Sequence, residues 1–213
     1  AIPVSGGGLL ALGTSFVLSN QVSPLTVSGI DHLLATHHIP TWDRYATRYY
    51  DRWPHQVSNG LGLASILLPA TFMLDKANRQ HAAELGYIVF EGALVTGGLT
   101  NLTKMLALRP RPYVFNPNAP LSIKLEKEAR YSYFSGHTSL TAYFSFATAQ
   151  IYNDLYPQSR YKKVVWASAV ALPLVAGYMR MRAGKHYLSD VVSGYVVGAA
   201  TGILIPRLHK RRG

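Results

Sequence analysis

His186 and Asp190 stand four residues apart at the start of an apolar run, with three cations, Arg180, Arg182 and Lys185, just ahead of them. If the run is helical from near His186, the imidazole and the carboxylate share one face of its first turns. The carboxylate can then accept a hydrogen bond from one ring nitrogen, fix the tautomer and leave the other nitrogen free as nucleophile or base. Cations beside a poised histidine suit an anionic substrate, and the planar fork of arginine matches two phosphate oxygens at once. Taken alone, the spacing describes a surface ion pair on a helix equally well.

Two other groups carry the same kind of chemistry. Lys104 is followed after six residues by Arg111-Pro112, within Lys-Met-Leu-Ala-Leu-Arg-Pro-Arg-Pro-Tyr. The prolines stop the preceding helix at a fixed point, so the basic side chains reach into the loop; a solvated basic helix end that complements the macrodipole is the alternative. Further on, Ser135-Gly136-His137 opens another apolar run. Backbone N–H groups at a helix start, a small hydroxyl and a glycine that permits close approach could cradle phosphate, with His137 placed as an acid. Ser135 acting only as an N-cap is the alternative there.

Long apolar segments must position these groups. Apart from histidine, no ionisable residue interrupts Ala1 to Ile30, Pro54 to Leu74, Tyr131 to Asn153, Val164 to Met179 or Val191 to Pro206, and Glu91 alone interrupts Leu85 to Thr103. The expectation is an all-α, six-helix integral membrane bundle formed by a single domain over residues 1–213. The mean hydropathy of +0.08 is low for six spans. At about 1.5 Å per residue the last two runs need flanking polar residues to cover roughly 30 Å of hydrocarbon. A soluble bundle with apolar inner helices is the competing reading.

Thr41 to Trp53 places Trp42, Tyr45, Tyr49 and Trp53 on one helical stripe and Arg44, Arg48 and Arg52 on the next, which predicts an additional helix lying at the interface. Arg207, Lys210, Arg211 and Arg212 after the last run place the C-terminus in the cytoplasm. Counting back, the loops from Lys104 to Tyr133 and from Arg180 to Asp190 fall together outside, as a short periplasmic loop region. Twelve of the 21 Lys and Arg residues then lie on the outer face, against the positive-inside tendency unless some of them bind substrate or headgroups.

The formal net charge of +11 admits nucleic acid, an anionic membrane surface or a phosphorylated substrate as partner. Zinc-finger spacing, a basic-aromatic RNA-binding run and a Walker-type glycine loop are all absent, which argues against nucleic acid. With no cysteine, thiol nucleophiles, disulfides and cysteine-bound metals are excluded.

In order and spacing the three groups resemble the type 2 phosphatidic acid phosphatase superfamily. Its signature is Lys, six residues, Arg-Pro; then Pro-Ser-Gly-His; then Ser-Arg, five residues, His, three residues, Asp. Lys104 with Arg111-Pro112, Ser135-Gly136-His137, and Arg180 with His186 and Asp190 match it, while Phe134 and Met179 replace the family's proline and serine. The resemblance covers roughly Leu85 to Pro206 and implies hydrolysis of a lipid phosphate or lipid pyrophosphate through a phosphohistidine, without metal or other cofactor. It implies that His186 attacks, Asp190 orients it and His137 protonates the leaving oxygen. Lys104, Arg111, Ser135, Gly136 and Arg180 would hold the phosphate. A bacterial-type cell membrane, with the site facing the periplasm or exterior, is the implied location. A soluble periplasmic acid phosphatase with the same site, and a bundle that only binds anionic lipid, are the other readings. Arg109, Arg182 and Lys185 have no counterpart in the signature and are expected to face water or widen a positive mouth.

Overall fold

The computed structural model describes residues 2–209, and among these there are helices and no β-strand. The α-helices are α1 (Ile2–Gln21), α2 (Val27–Thr36), α3 (Arg52–Leu67), α4 (Ala82–Ala107), the single turn α5 (Leu121–Lys124), α6 (Gly136–Leu155), α7 (Lys162–Arg182) and α8 (Leu188–His209). Six of these have 16 residues or more. Four stretches, Arg52–Leu74, Lys76–Phe115, Lys162–Arg182 and Leu188–His209, are long and apolar enough to cross a membrane.

The burial pattern is that of a protein solvated by lipid. Phe90, Leu106, Leu174, Val192 and Val196 are 40% or more exposed on the outside of the bundle, while Thr96, Thr100, Thr138, Ser139, Thr141 and Ser145 are buried inside it. Helices in hydrocarbon gain nothing by hiding leucine from leucine-like tails, so small and hydroxylated side chains take the interior. Inward-facing polar residues also explain the low mean hydropathy. The chain is a membrane protein.

Helix α6 is the central post, flanked by α3, α4, α7 and α8. Its closest partner is α8, which presents Gly194, Gly198 and Gly202 at four-residue intervals. A Cβ at these positions would stand 2.6, 2.0 and 2.7 Å from the carbonyls of Ser135, Ser139 and Tyr143, so the two backbones touch along this stripe. Thr100 Oγ1 and Ser139 Oγ meet at 3.0 Å between α4 and α6, and Thr96 Oγ1 meets Thr201 Oγ1 of α8 at 2.8 Å. Glu91, within the apolar run, is fully buried and hydrogen-bonded to His209 at the far end of α8.

Several expected boundaries move. The first apolar run is two helices, because Pro24 interrupts it and Thr26 starts α2 afresh by accepting the Gly29 N–H at 3.1 Å. Pro69 converts the last turns of the Pro54–Leu74 run into a 3-10 helix. Tyr131 to Phe134 form a loop, and α6 starts only at Gly136. The interfacial helix expected over Thr41–Trp53 is instead a turn, a 3-10 helix at Arg44–Arg48, an extended link and the first turn of α3. Extension into polar flanks does hold for the last two runs, which become α7 and α8. Of the basic tail used for orientation, Arg207 donates to Gln150 Oε1 at 3.1 Å, while Lys210, Arg211 and Arg212 lie outside the described residues.

Candidate active site

The chain direction alternates so that α4 and α7 end, and α3, α6 and α8 begin, at one end of the bundle. Helix α4 stops where Leu108 takes a left-handed conformation (φ 42°) and its N–H bonds back to Lys104 O at 3.0 Å. Glycine is the usual residue in such a cap; leucine costs about 1–2 kcal/mol there. Neither Pro110 nor Pro112 can continue the helix, so the chain leaves sideways as a loop.

That loop is laced to the other two motifs through the backbone. Arg111 N–H donates to Ala129 O at 2.8 Å, and Ser132 N–H donates to Arg109 O at 3.0 Å. Ser135 N–H donates to Asp190 O at 3.0 Å, and Tyr113 N–H donates to Gly184 O at 3.0 Å. Gly184 has φ +65° and lies so close to Tyr49 O that any side chain would collide. Ser135 is the N-cap of α6, accepting the N–H of Thr138 at 3.4 Å and its hydroxyl at 2.9 Å, with its own hydroxyl proton still available. A Cβ on Gly136 would stand 3.4 Å from Lys104 Nζ, so the glycine lets that ammonium approach the helix start.

His186 is buried, and Nδ1 lies 2.7 Å from the carbonyl oxygen of Ser132. A carbonyl can only accept, so Nδ1 carries the proton and Nε2 is the unprotonated, unpartnered nitrogen. Asp190 is not the direct holder expected from its spacing, since its Oδ2 is 3.7 Å from Nδ1. Instead Oδ2 accepts from Ser132 Oγ at 2.5 Å and Tyr187 N–H at 2.9 Å, and Oδ1 accepts from Arg109 at 2.5 Å. Asp190 thus fixes the loop whose carbonyl fixes the imidazole.

Arg180 is buried and donates from Nη1 to His55 Nδ1 at 2.8 Å, while its Nε has no partner. Arg111, also buried, reaches Glu128 at 2.8 Å through Nη2, again with Nε unpartnered. Lys104 forms no ion pair among the described residues. Buried cations with spare donors are costly unless an anion completes them. Burial first, then the charges of Arg111, Arg180 and Lys104, hold the His186 pKa well below the usual imidazole value. Burial, with Arg111 and Arg180, brings Lys185 down to about 8. Lys104, Arg111 and Arg180 therefore all bear on the one imidazole.

His137 Nε2 lies 2.7 Å from Asn59 Oδ1, and His137 lines a cavity of about 620 Å³. His55, Asn59, Thr100 and Lys104 make one wall polar, and Leu63, Ile66 and Leu140 make the rest apolar. The cavity lies between α3 and α4, which barely touch because each packs on α6.

The structure thus brings together Lys104, Arg111, Ser135, Gly136, His137, Arg180, His186 and Asp190. The residues without a counterpart in the signature are only partly exposed and have partners in the protein. Arg109 bridges Asp190 and Asp43, lies 2.8 Å from Ser189 Oγ and stacks over Tyr187 at 4.1 Å. Arg182 pairs with Asp51 at 2.8 Å, and Lys185 lies over the Tyr113 ring at 4.8 Å. Sequence reasoning missed Asp43, His55, Asn59 and Ser132. His55, Ser58, Asn59 and Gly62 recur at helical spacing inside an apolar run, which was the available sign of a polar inner face. Ser132 acts through its carbonyl, which no sequence marks.

Fold and site define an all-helical membrane protein with a buried cationic cradle around a neutral histidine. The PAP2 superfamily model matches residues 85–213, and the chain belongs to that family. It is 33% identical to human phospholipid phosphatase 2 over 146 residues, 56% of this chain and 49% of that protein. It is 30% identical to the lipid A 1-phosphatase of Rhizobium etli over 141 residues, 65% of this chain and 56% of that protein. The chain therefore spans about half the length of the relatives it matches. The fold is shared with the transmembrane PAP2 type phosphatidylglycerolphosphate phosphatase of Bacillus subtilis, with a TM-score of 0.60, 20% identity and coverage of 97% of this chain and 98% of that one.

Proposed function

We propose that this protein hydrolyses a lipid phosphate or lipid pyrophosphate through a phosphohistidine on His186. The observation that carries the reading is the Ser132 carbonyl on His186 Nδ1, which turns the unprotonated Nε2 into the free nitrogen at a site with three cations. In the first step Nε2 forms a bond to phosphorus, the bond from phosphorus to the lipid oxygen breaks, and that oxygen takes a proton from His137. In the second, water attacks phosphorus and gives a proton to His137, and the P–N bond breaks to release phosphate and neutral His186. Arg111, Arg180 and Lys104, the Ser135 hydroxyl and the Gly136 N–H hold the non-bridging oxygens and stabilise their charge. Asp190 positions the loop that orients His186.

The cavity beside His137 supports a lipid substrate. Its polar wall adjoins the cradle, and its apolar walls open between α3 and α4, where an acyl chain can lie while the phosphate sits on the cations. In this reading the cradle faces the periplasm or cell exterior, and the relatives named phospholipid phosphatase and lipid A 1-phosphatase act on substrates of this class.

The test is a trapping experiment. Protein mixed briefly with lipid labelled in its terminal phosphate and quenched in alkali should carry an acid-labile label on His186. Rapid phosphate release with no label on His186 at any quench time would sink the mechanism.

A further inference from the structure

A second cavity, of about 400 Å³, opens in the loop layer and shares no lining residue with the cavity beside His137. It is lined by His37 and His38, which follow α2, by Arg44 and Arg48 from the 3-10 helix, and by the apolar side chains of Leu34, Ile39 and Phe115. Among the described residues, no aspartate or glutamate lines it. Arg44 is anchored by donation from Nε to Ile39 O at 2.9 Å, which keeps its terminal nitrogens for a ligand. Arg48 forms no ion pair among the described residues, and His37 stacks on Phe115 at a ring distance of 5.5 Å.

Two arginines without an ion pair among the described residues, beside two histidines and the apolar side chains of Leu34 and Phe115, fit an anion attached to an apolar body. The guanidinium fork suits phosphate oxygens. Trp42 and Trp53, 64% and 55% exposed, precede and follow the 3-10 helix in the chain, and indole rings favour the headgroup level of a bilayer. A lipid whose phosphate reached this cavity would meet the protein away from the cavity beside His137.

We propose that this cavity is a second lipid site, which binds the phosphate-bearing headgroup of an anionic membrane lipid without turning it over. The proposal does not rest on hydrolysis at His186. It also accounts for part of the positive charge on this face, since Arg44 and Arg48 would be neutralised by lipid and not by protein.

The test counts bound lipid. Protein in micelles of a neutral detergent is titrated with phosphatidylglycerol or with phosphatidylcholine, and adducts are counted by native mass spectrometry. Wild type should take up phosphatidylglycerol at mole fractions about tenfold lower than phosphatidylcholine. The Arg44→Gln, Arg48→Gln double variant should lose that preference while keeping the wild-type unfolding midpoint. Should the double variant fail to fold, Arg48→Gln alone must reduce the preference. Inorganic phosphate that displaces the adduct assigns the site to the phosphate group as such; an adduct that persists assigns it to the lipid headgroup. Equal binding of the two lipids by wild type, or an undiminished preference in a folded variant, overturns the proposal.

Discussion

His186 is held by Ser132 and not by Asp190: Nδ1 donates to the Ser132 carbonyl at 2.7 Å, while the Asp190 carboxylate, 3.7 Å from that nitrogen, accepts from the hydroxyl of the same serine at 2.5 Å. One residue thus joins imidazole and carboxylate, by its backbone on one side and its side chain on the other. The arrangement separates the tautomer, set by a carbonyl that mutation cannot remove, from the stability of the loop that presents it.

Substitution at these positions should therefore give graded effects. Ser132→Ala keeps the carbonyl and loses one hydrogen bond to a carboxylate, worth about 1.5–3 kcal/mol, so kcat should fall by about 10–150-fold. Asp190→Ala leaves Arg109 and Ser132 without their shared acceptor and should cost about 3–5 kcal/mol of stability. His186→Ala should abolish turnover with a near-normal unfolding midpoint. Steady-state kinetics beside thermal unfolding in detergent separates the three, and a Ser132→Ala protein as inactive as His186→Ala would refute the assignment.

The pH profile of kcat/KM, which reports the free enzyme, should be asymmetric. Burial and neighbouring cations lower the His186 pKa, so the imidazole stays neutral and nucleophilic below the pH at which an ordinary histidine charges. Lys185, brought down to about 8, loses its charge as pH rises through that value, and attraction for an anionic substrate falls with it. Lys185→Met should lower the plateau and remove an alkaline limb near pH 8. For stability the sign is opposite: between about 8 and its unfolded value Lys185 binds fewer protons folded than unfolded, so its penalty fades as pH rises.

Arg180 is the cation most fully enclosed by protein, with His55 on one terminal nitrogen and Nε open. Arg180→Gln keeps a donor and removes the charge. It should lower kcat/KM by about 10²–10³-fold and weaken inhibition by vanadate in parallel, because both depend on a charged clamp. Loss of turnover with unchanged vanadate affinity would place Arg180 outside the phosphate site.

The glycine stripe of α8 makes a prediction about folding. A methyl at Gly198 would stand 2.0 Å from the Ser139 carbonyl, and a backbone atom cannot swing aside. Gly198→Ala should destabilise by about 3 kcal/mol or more and lower the unfolding midpoint clearly. Gly60→Ala in α3, where nothing lies within 4 Å, serves as control and should be neutral or slightly stabilising.

The sequence alone carried lysine, arginine, histidine and aspartate at offsets that resemble a phosphatase family's signature, and the match of that family's model to residues 85–213 bears out the family. The sequence also located the long helices, because runs free of charge can only lie in lipid or in a core. Their ends were less legible: Pro24 and Pro69 were visible, but how a loop such as Tyr131 to Phe134 closes depends on the segment it lies against. Tertiary structure alone decided that Arg109 and Arg182 are spent on aspartates, that Glu91 meets His209 and that His55 and Asn59 join the site from α3. It also decided that a peptide carbonyl orients His186. Each of these is a contact between segments distant in the chain, made through a backbone atom common to every residue or a side chain whose partner sits on another helix. Local spacing carries no record of either.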